Sequence, residues 1–165
     1  MKIGIIVAMD KEFVQLKALL EDATMEQHHK KDFAVGNIGD KDIVIQKCGI
    51  GKVNSAIGAV EMINNYAPDL VISTGVAGGA DVEMNVTDVI VGTSYCYHDA
   101  YCGSECSFGQ IIGMPPAFTA PKDLVEKAVS LSGETKIHAG LIVSGEWFVD
   151  SREKMQGILD NFPKA

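Results

Sequence analysis

Apolar and polar positions recur along this chain in two periods, and the switches between them predict where strands give way to helices. Lys2 to Val7 is a short β-branched apolar run, the composition of a strand covered on both faces. Asp10 then offers an N-cap to an amphipathic stretch carrying Phe13, Leu16 and Leu20. Phe33 to Ile38 and Asp42 to Cys48 have strand composition and flank Gly39-Asp40-Lys41, a connection of hairpin length, so antiparallel pairing is expected there. After Gly49-Ile50-Gly51 the period becomes helical: Val53, Ile57 and Val60 fall on one face, and Asn64, Asn65 and Pro68 end the segment.

Asp69 to Thr74 reads as the next strand and runs into Gly75-Val76-Ala77-Gly78-Gly79; Asp88 to Tyr95 is another. The stretch from His98 to Ala117 is polar, bears cysteine and glycine, and is too long for a simple connector, which makes it a candidate binding loop. Pro121 suits the first turn of a helix carrying Leu124, Val125, Ala128 and Val129. Lys136 to Val143 is strand again, and Ser151 can cap a last helix through Leu159, stopped before Pro163. This order predicts a single three-layer α/β domain over residues 1–165, with a mostly parallel, partly mixed central sheet. The chain reaches Ala165 on an outgoing helix without a returning strand, so the domain is expected to be incomplete at its C-terminus.

Composition narrows the classes. With 165 residues, 47% hydrophobic and 22% charged, the chain is of globular type and of one-domain size. No apolar run approaches the ~20 residues of a membrane span, and Met1 to Ala8 is too short and too weakly basic for a secretory signal, so a cytoplasmic protein is expected. Against 22 acidic residues stand 14 Lys plus Arg, a formal net charge of −8, which disfavours nucleic acid as a partner. Arg152 is the one arginine, so bidentate phosphate binding is poorly provided for. Cys48, Cys96, Cys102 and Cys106 fit no small disulfide scaffold and are expected as free thiols.

In open α/β sheets, ligands collect beyond the carboxyl ends of strands, which singles out Ala8 to Glu12, Cys48 to Lys52, Gly75 to Gly79 and Ser144 to Val149. Gly49-Ile50-Gly51-Lys52-Val53-Asn54 fails as a dinucleotide fingerprint for want of its last glycine, and fails as a P-loop for want of Ser or Thr after the lysine. The glycines of Gly75 to Gly79 allow backbone N–H groups to approach a ligand closely, or else make a plain turn. Glu12 sits in the first helical turn, where helix-dipole placement alone explains it, unless burial beside a substrate makes it a general base. Trp147 and Phe148 either stack a planar ring or join the core. Cys96, His98, Cys102 and Cys106 raise zinc, but their Cys-x-His-x3-Cys-x3-Cys spacing lacks the compact knuckle of structural sites. His28 and His29, beside Lys30 and Lys31, read as a solvated turn.

Taken in order, these segments resemble the bacterial 5′-methylthioadenosine/S-adenosylhomocysteine nucleosidases, members of the purine and uridine phosphorylase superfamily. The resemblance is carried by Met1 to Ile6 with Ala8-Met9 and Glu12, by Gly49 to Val53 and by Ser73 to Gly79. It continues through Tyr97-His98-Asp99-Ala100, Phe108-Gly109-Gln110, Gly140 to Gly145 and Asn161-Phe162-Pro163. It implies hydrolysis of an N-glycosidic bond, without a cofactor or metal, releasing adenine from a 5′-thio-substituted adenosine. By position Glu12 is the base that activates water, Gly78 lies at the substrate-binding turn, Phe148 stacks the base and Val149 supplies a backbone contact to the adenine edge. Met9 and Ile50 line the pocket for the 5′ substituent, with Ala8, Val76 and Ala77 beside the substrate. A homodimer is implied, a second subunit completing the site with its loop within Tyr101 to Pro115.

The chain departs from this pattern at Val76, where family members often have Ser; a backbone role survives that change. The family also continues past Asn161-Phe162-Pro163 through a Met-Glu pair that grips the ribose and an Asp that protonates the purine, so this chain alone is expected to be catalytically impaired. Two other readings stay open: a purine nucleoside phosphorylase or another nucleoside hydrolase, separable by phosphate dependence, and a non-catalytic nucleoside- or zinc-binding module, separable by metal analysis.

Overall fold

The computed structural model describes residues 1–165, which cluster into two compact units, Met1–Ala77 and Gly78–Ala165. In the first unit the elements run β1 (Lys2–Val7), α1 (Asp10–Lys17), β2 (Glu21–His28), β3 (Lys31–Ile38), β4 (Lys41–Lys47), α2 (Lys52–Tyr66) and β5 (Leu70–Ser73). The five strands form a mixed sheet in the order β2-β3-β4-β1-β5. β1 runs parallel to β4 and β5, whereas β3 is antiparallel to both β2 and β4. The register sets Ile38 opposite Lys41, so the expected hairpin turns on Gly39 and Asp40.

Because successive strand residues point to opposite faces, the apolar runs of β1, β3 and β4 divide between two cores. Ile6, Phe33, Val44 and Cys48 pack with Met62 of α2 on one face of the sheet. Val7, Ala34, Ile43 and Ile45 pack with Phe13 of α1 on the other, joined by Ile3, Ile5, Leu16 and Leu20. This is the three-layer arrangement, helix on sheet on helix, and it accounts for β1 having no polar face. Gly4 belongs to the α2 side, where a Cβ would lie 2.9 Å from Met62 Sδ.

Three local expectations change. β2 was not foreseen, and its turn into β3 uses His29 and Lys30, both at positive φ (47° and 65°) without a glycine. His29 and Lys30 form the exposed turn expected, with His29 Nδ1 2.9 Å from the Glu61 carboxylate, while His28 ends β2 and its ring meets Phe33 and Tyr66 edge-on at 5.5 and 5.6 Å. The Val53, Ile57 and Val60 face of α2 is exposed, and the buried positions of that helix are Gly58 and Met62. Asp10 is not the cap of α1; Met9 occupies that position in an extended conformation, and Asp10 is the first helical residue.

The second unit contains β6 (Val89–Tyr97), β7 (Phe118–Thr119), α3 (Lys122–Val129), β8 (Ile137–Ser144) and α4 (Arg152–Asn161). β8 pairs parallel with β6 and the short β7 pairs antiparallel with it, in the order β7-β6-β8. α3 makes the crossover between the parallel strands and packs on both, as a right-handed strand-helix-strand connection requires a covering helix. Pro121 stands one residue before α3, and Ser151 caps α4 as expected, its Oγ accepting the Lys154 N–H at 3.2 Å. Cys96, Ile158 and Phe162 form the buried core, with Leu141, Val143 and Val149 packed against it. No helix is long and apolar enough to cross a membrane.

Candidate active site

In the first unit the parallel strands β1, β4 and β5 end on the same edge of the sheet, and the segments that follow them are those singled out by the sequence. Gly49 and Gly51 hold φ of 97° and 99°, so the turn from β4 into α2 uses the freedom that glycine alone has cheaply. After β1, the chain turns into α1 with Glu12 as its third residue, close enough to reach back over the helix start.

Glu12 is half-buried and its carboxylate is held by three main-chain donors. Oε2 accepts the N–H groups of Ala8 at 3.0 Å and Met9 at 2.9 Å, which would otherwise be unpaired at the helix start. Oε1 accepts the N–H of Val76, 64 residues away in the loop after β5, at 3.1 Å. Helix-dipole placement thus describes only half of the arrangement. The other half is a fixed bridge between two strand ends, made by the backbone of Val76, so replacing Ser by Val at that position leaves the hydrogen bond intact. The remaining expected residues of this unit line the same edge: Ile50 is 74% and Val76 82% exposed, and Ala77 is exposed too.

Asp10 and Cys48, which lie near Glu12 in sequence or space, have other partners. Asp10 points outward to Lys47 Nζ at 2.5 Å, and this contact pushes the Lys47 ammonium above its ordinary range. Cys48 donates its thiol to the Gly49 carbonyl at 3.1 Å, and burial pushes the thiol up, the state of an unreactive sulfur.

In the second unit, Phe148 is 83% exposed and Trp147 is also exposed, so neither belongs to the core. The loop that carries them is pinned from β6. The His98 N–H donates to the Ser144 carbonyl at 2.9 Å, and Asp99 Oδ2 accepts the Glu146 N–H at 2.7 Å. The buried His98 ring meets Trp147 edge-on at 4.7 Å and fills the space beside Gly145, where a Cβ would fall 2.2 Å from His98 Cε1. Lys154 Nζ donates to the Phe148 carbonyl at 3.3 Å and lies 2.6 Å from Asp150, whose carboxyl it lowers. Val149 is half-buried on the core, while Gly78 is exposed, with Met155 Cε the nearest atom to an added Cβ at 4.0 Å.

All four cysteines are free, and no group of three or more His, Cys, Asp or Glu comes together that could hold a metal ion. The Cys96, His98, Cys102 and Cys106 spacing therefore does not become a zinc cluster in space. The sequence offers His98 only as a candidate zinc ligand and does not single out Asp99, although both stand in one of the motifs that carry the resemblance. Their signal was a histidine and an aspartate directly following a strand whose parallel partner leads into Phe148 and Val149.

The fold is that of an α/β protein with a carboxylate held by main-chain N–H groups at the carboxyl ends of its parallel strands. A family model described as the phosphorylase superfamily matches residues 2–165. Among known proteins, the chain is 40% identical to the 5′-methylthioadenosine/S-adenosylhomocysteine nucleosidase of Desulfotalea psychrophila, covering 99% of this chain and 71% of that protein. It is 40% identical to that of Staphylococcus aureus as well, over 99% of this chain and 73% of the relative. Among solved structures, the Streptococcus pneumoniae enzyme with a transition-state inhibitor superposes with a TM-score of 0.94 at 32% identity, covering 99% of this chain and 73% of that one. The Colwellia psychrerythraea enzyme in complex with adenine superposes with a TM-score of 0.93 at 36% identity, covering 99% and 70%. The chain belongs to the 5′-methylthioadenosine/S-adenosylhomocysteine nucleosidase family within the phosphorylase superfamily.

Proposed function

We propose that the protein hydrolyses the N-glycosidic bond of 5′-methylthioadenosine and S-adenosylhomocysteine, with Glu12 as the base that activates water. The observation that carries the assignment of Glu12 is its carboxylate, half-buried and bridged by main-chain N–H groups to the ends of two parallel strands. Such a group is fixed in position and retains an oxygen lone pair for a water molecule. Cleavage of a ribosyl bond passes through an oxocarbenium-like state. The water oxygen bonds to C1′ as its proton passes to Glu12, the C1′–N9 pair leaves with adenine, and a separate donor returns a proton to the purine. Glu12 serves only the first of these transfers.

Phe148 stacks the purine, its ring being free of the core, and the Val149 main chain meets the adenine edge. Ala8, Val76, Ala77 and Gly78 flank the substrate through backbone, and Met9 and Ile50 give the 5′-thio group an apolar neighbour. Water rather than phosphate is the nucleophile in this reading, which the single Arg152 supports. The partner is a second copy of the chain: Val53, Ile57, Val60 and Ile63 form an exposed apolar stripe along α2, the kind of surface that a monomer seldom leaves open. The four free thiols support a cytoplasmic, reducing setting.

The test is adenine release from methylthioadenosine by the full-length protein and by its Glu12→Gln variant, with and without phosphate. Loss of about 10² to 10⁴ in rate, with adenine affinity retained and no phosphate dependence, is the expected result. Unchanged turnover in Glu12→Gln removes Glu12 from its role, and phosphate-dependent release converts the reading to a phosphorylase. Sedimentation of Val60→Asp against the parent protein tests the dimer, with dissociation expected.

A further inference from the structure

We propose that Gly75 is a positioning residue for the reaction: its lack of a side chain lets the Glu12 carboxylate stand where Oε1, which keeps one lone pair free, can hold the attacking water. This inference rests on the reading of Glu12 as the base. Each carboxylate oxygen has two lone-pair directions. Those of Oε2 are both taken, by the Ala8 and Met9 N–H groups, whereas Oε1 accepts only the Val76 N–H at 3.1 Å. Oε1 is therefore the oxygen with capacity to take a proton from water.

Gly75 stands beside that oxygen. A Cβ built on it would lie 2.6 Å from Oε1, 3.2 Å from Cδ and 3.5 Å from Oε2, the first closer than real Cβ atoms come to any neighbour. Any side chain at 75 must displace the carboxylate. Backbone conformation does not explain the glycine, since Gly75 has no positive φ, in contrast to Gly49 and Gly51 in the turn after β4. What position 75 requires is space, and the space belongs to Glu12.

Gly75→Ala tests the proposal on the full chain. The expected result is a fall in kcat of about 10²-fold, the scale of a displaced reacting group, with the Kd for adenine unchanged. Gly157→Ala, on the exposed side of α4 with nothing within 4 Å of its added Cβ, is the control expected to keep full activity. Thermal melting supplies a readout that does not depend on turnover. Gly75→Ala should lower Tm by about 5 °C beside Glu12, and this loss should vanish in a Glu12→Ala background, where the collision partner is gone.

Equal Tm loss in both backgrounds overturns the proposal, because the added methyl group then strains something other than Glu12. So does a Gly75→Ala enzyme with unchanged kcat when Glu12→Gln is inactive. If Glu12→Gln itself keeps its turnover, the base reading fails; the proposal falls with it as a statement about catalysis, and the melting comparison still shows whether Gly75 makes room for the carboxylate.

Discussion

The two units use the same strand-helix-strand grammar and reach different degrees of closure. In the first, Phe33, Ala34 and Met62 are completely buried and Val7, Val44 and Ile45 nearly so, because the sheet is clad on both faces. In the second, the core reduces to Cys96, Ile158 and Phe162, while Val82, Val86 and Phe148 are almost fully exposed. The carboxylate proposed as the base grows from the first unit, and the aromatic proposed to stack the purine stands on the second.

The sharpest way to break this contrast is truncation of one phenylalanine in each unit. Phe33→Ala should cost about 4 kcal/mol in urea denaturation, since its ring is enclosed by Tyr66 at 5.0 Å and by rigid strand neighbours that cannot collapse into the cavity. Phe162→Ala should cost about 2 kcal/mol, because the nearest ring, Phe108 at 6.0 Å, is itself exposed and can move in. Equal costs would show the two cores to be packed alike. Next in size, Ser151→Ala should lose about 1 kcal/mol by removing the cap of α4.

Asp88 sharpens the comparison through pH. The Asn85 N–H at 3.0 Å, and after it His138 at 2.9 Å, hold its carboxyl below the ordinary carboxylate range. A carboxyl lowered on folding stabilises the protein above its unfolded pKa of about 3.9 and loses that contribution as pH falls through the folded value. Wild-type Tm should therefore drop more steeply than that of Asp88→Asn between about pH 5 and pH 2, the two converging at the acid end. Parallel curves would show that the contact carries no stability. Smallest in stability is Phe148→Ala, expected within about 0.5 kcal/mol of the parent because the ring is exposed. Its adenine Kd should nevertheless rise about tenfold from lost stacking, measured by calorimetry.

Much of the fold was legible where burial imprints a period. β1, β4 and β6 are apolar runs in sequence and strands in space, and the Gly39-Asp40 turn announced its hairpin. β2 was not legible, because Glu21 to Gln27 are all exposed and a strand without a buried face leaves no alternation to read. Its turn was hidden as well, since His29 and Lys30 adopt conformations that sequence reasoning reserves for glycine and asparagine. At the site, the family resemblance singled out Glu12, but nothing local to residue 12 could reveal the Val76 N–H that fixes it or the space at Gly75. Those depend on the pairing of β1 with β5, a contact between segments about 65 residues apart in the chain.

The outermost strand, β2, carries a protection against fibril growth. Its free rim would offer a row of unpaired peptide groups to another molecule, yet Glu21, Asp22 and Glu26 give that rim one sign of charge, and the register slips between Glu21 and Thr24 where Asp22 takes a φ of 51°. Like-charged, bent edges repel and mismatch one another. Templated stacking through this rim is blocked twice over, by electrostatics and by shape.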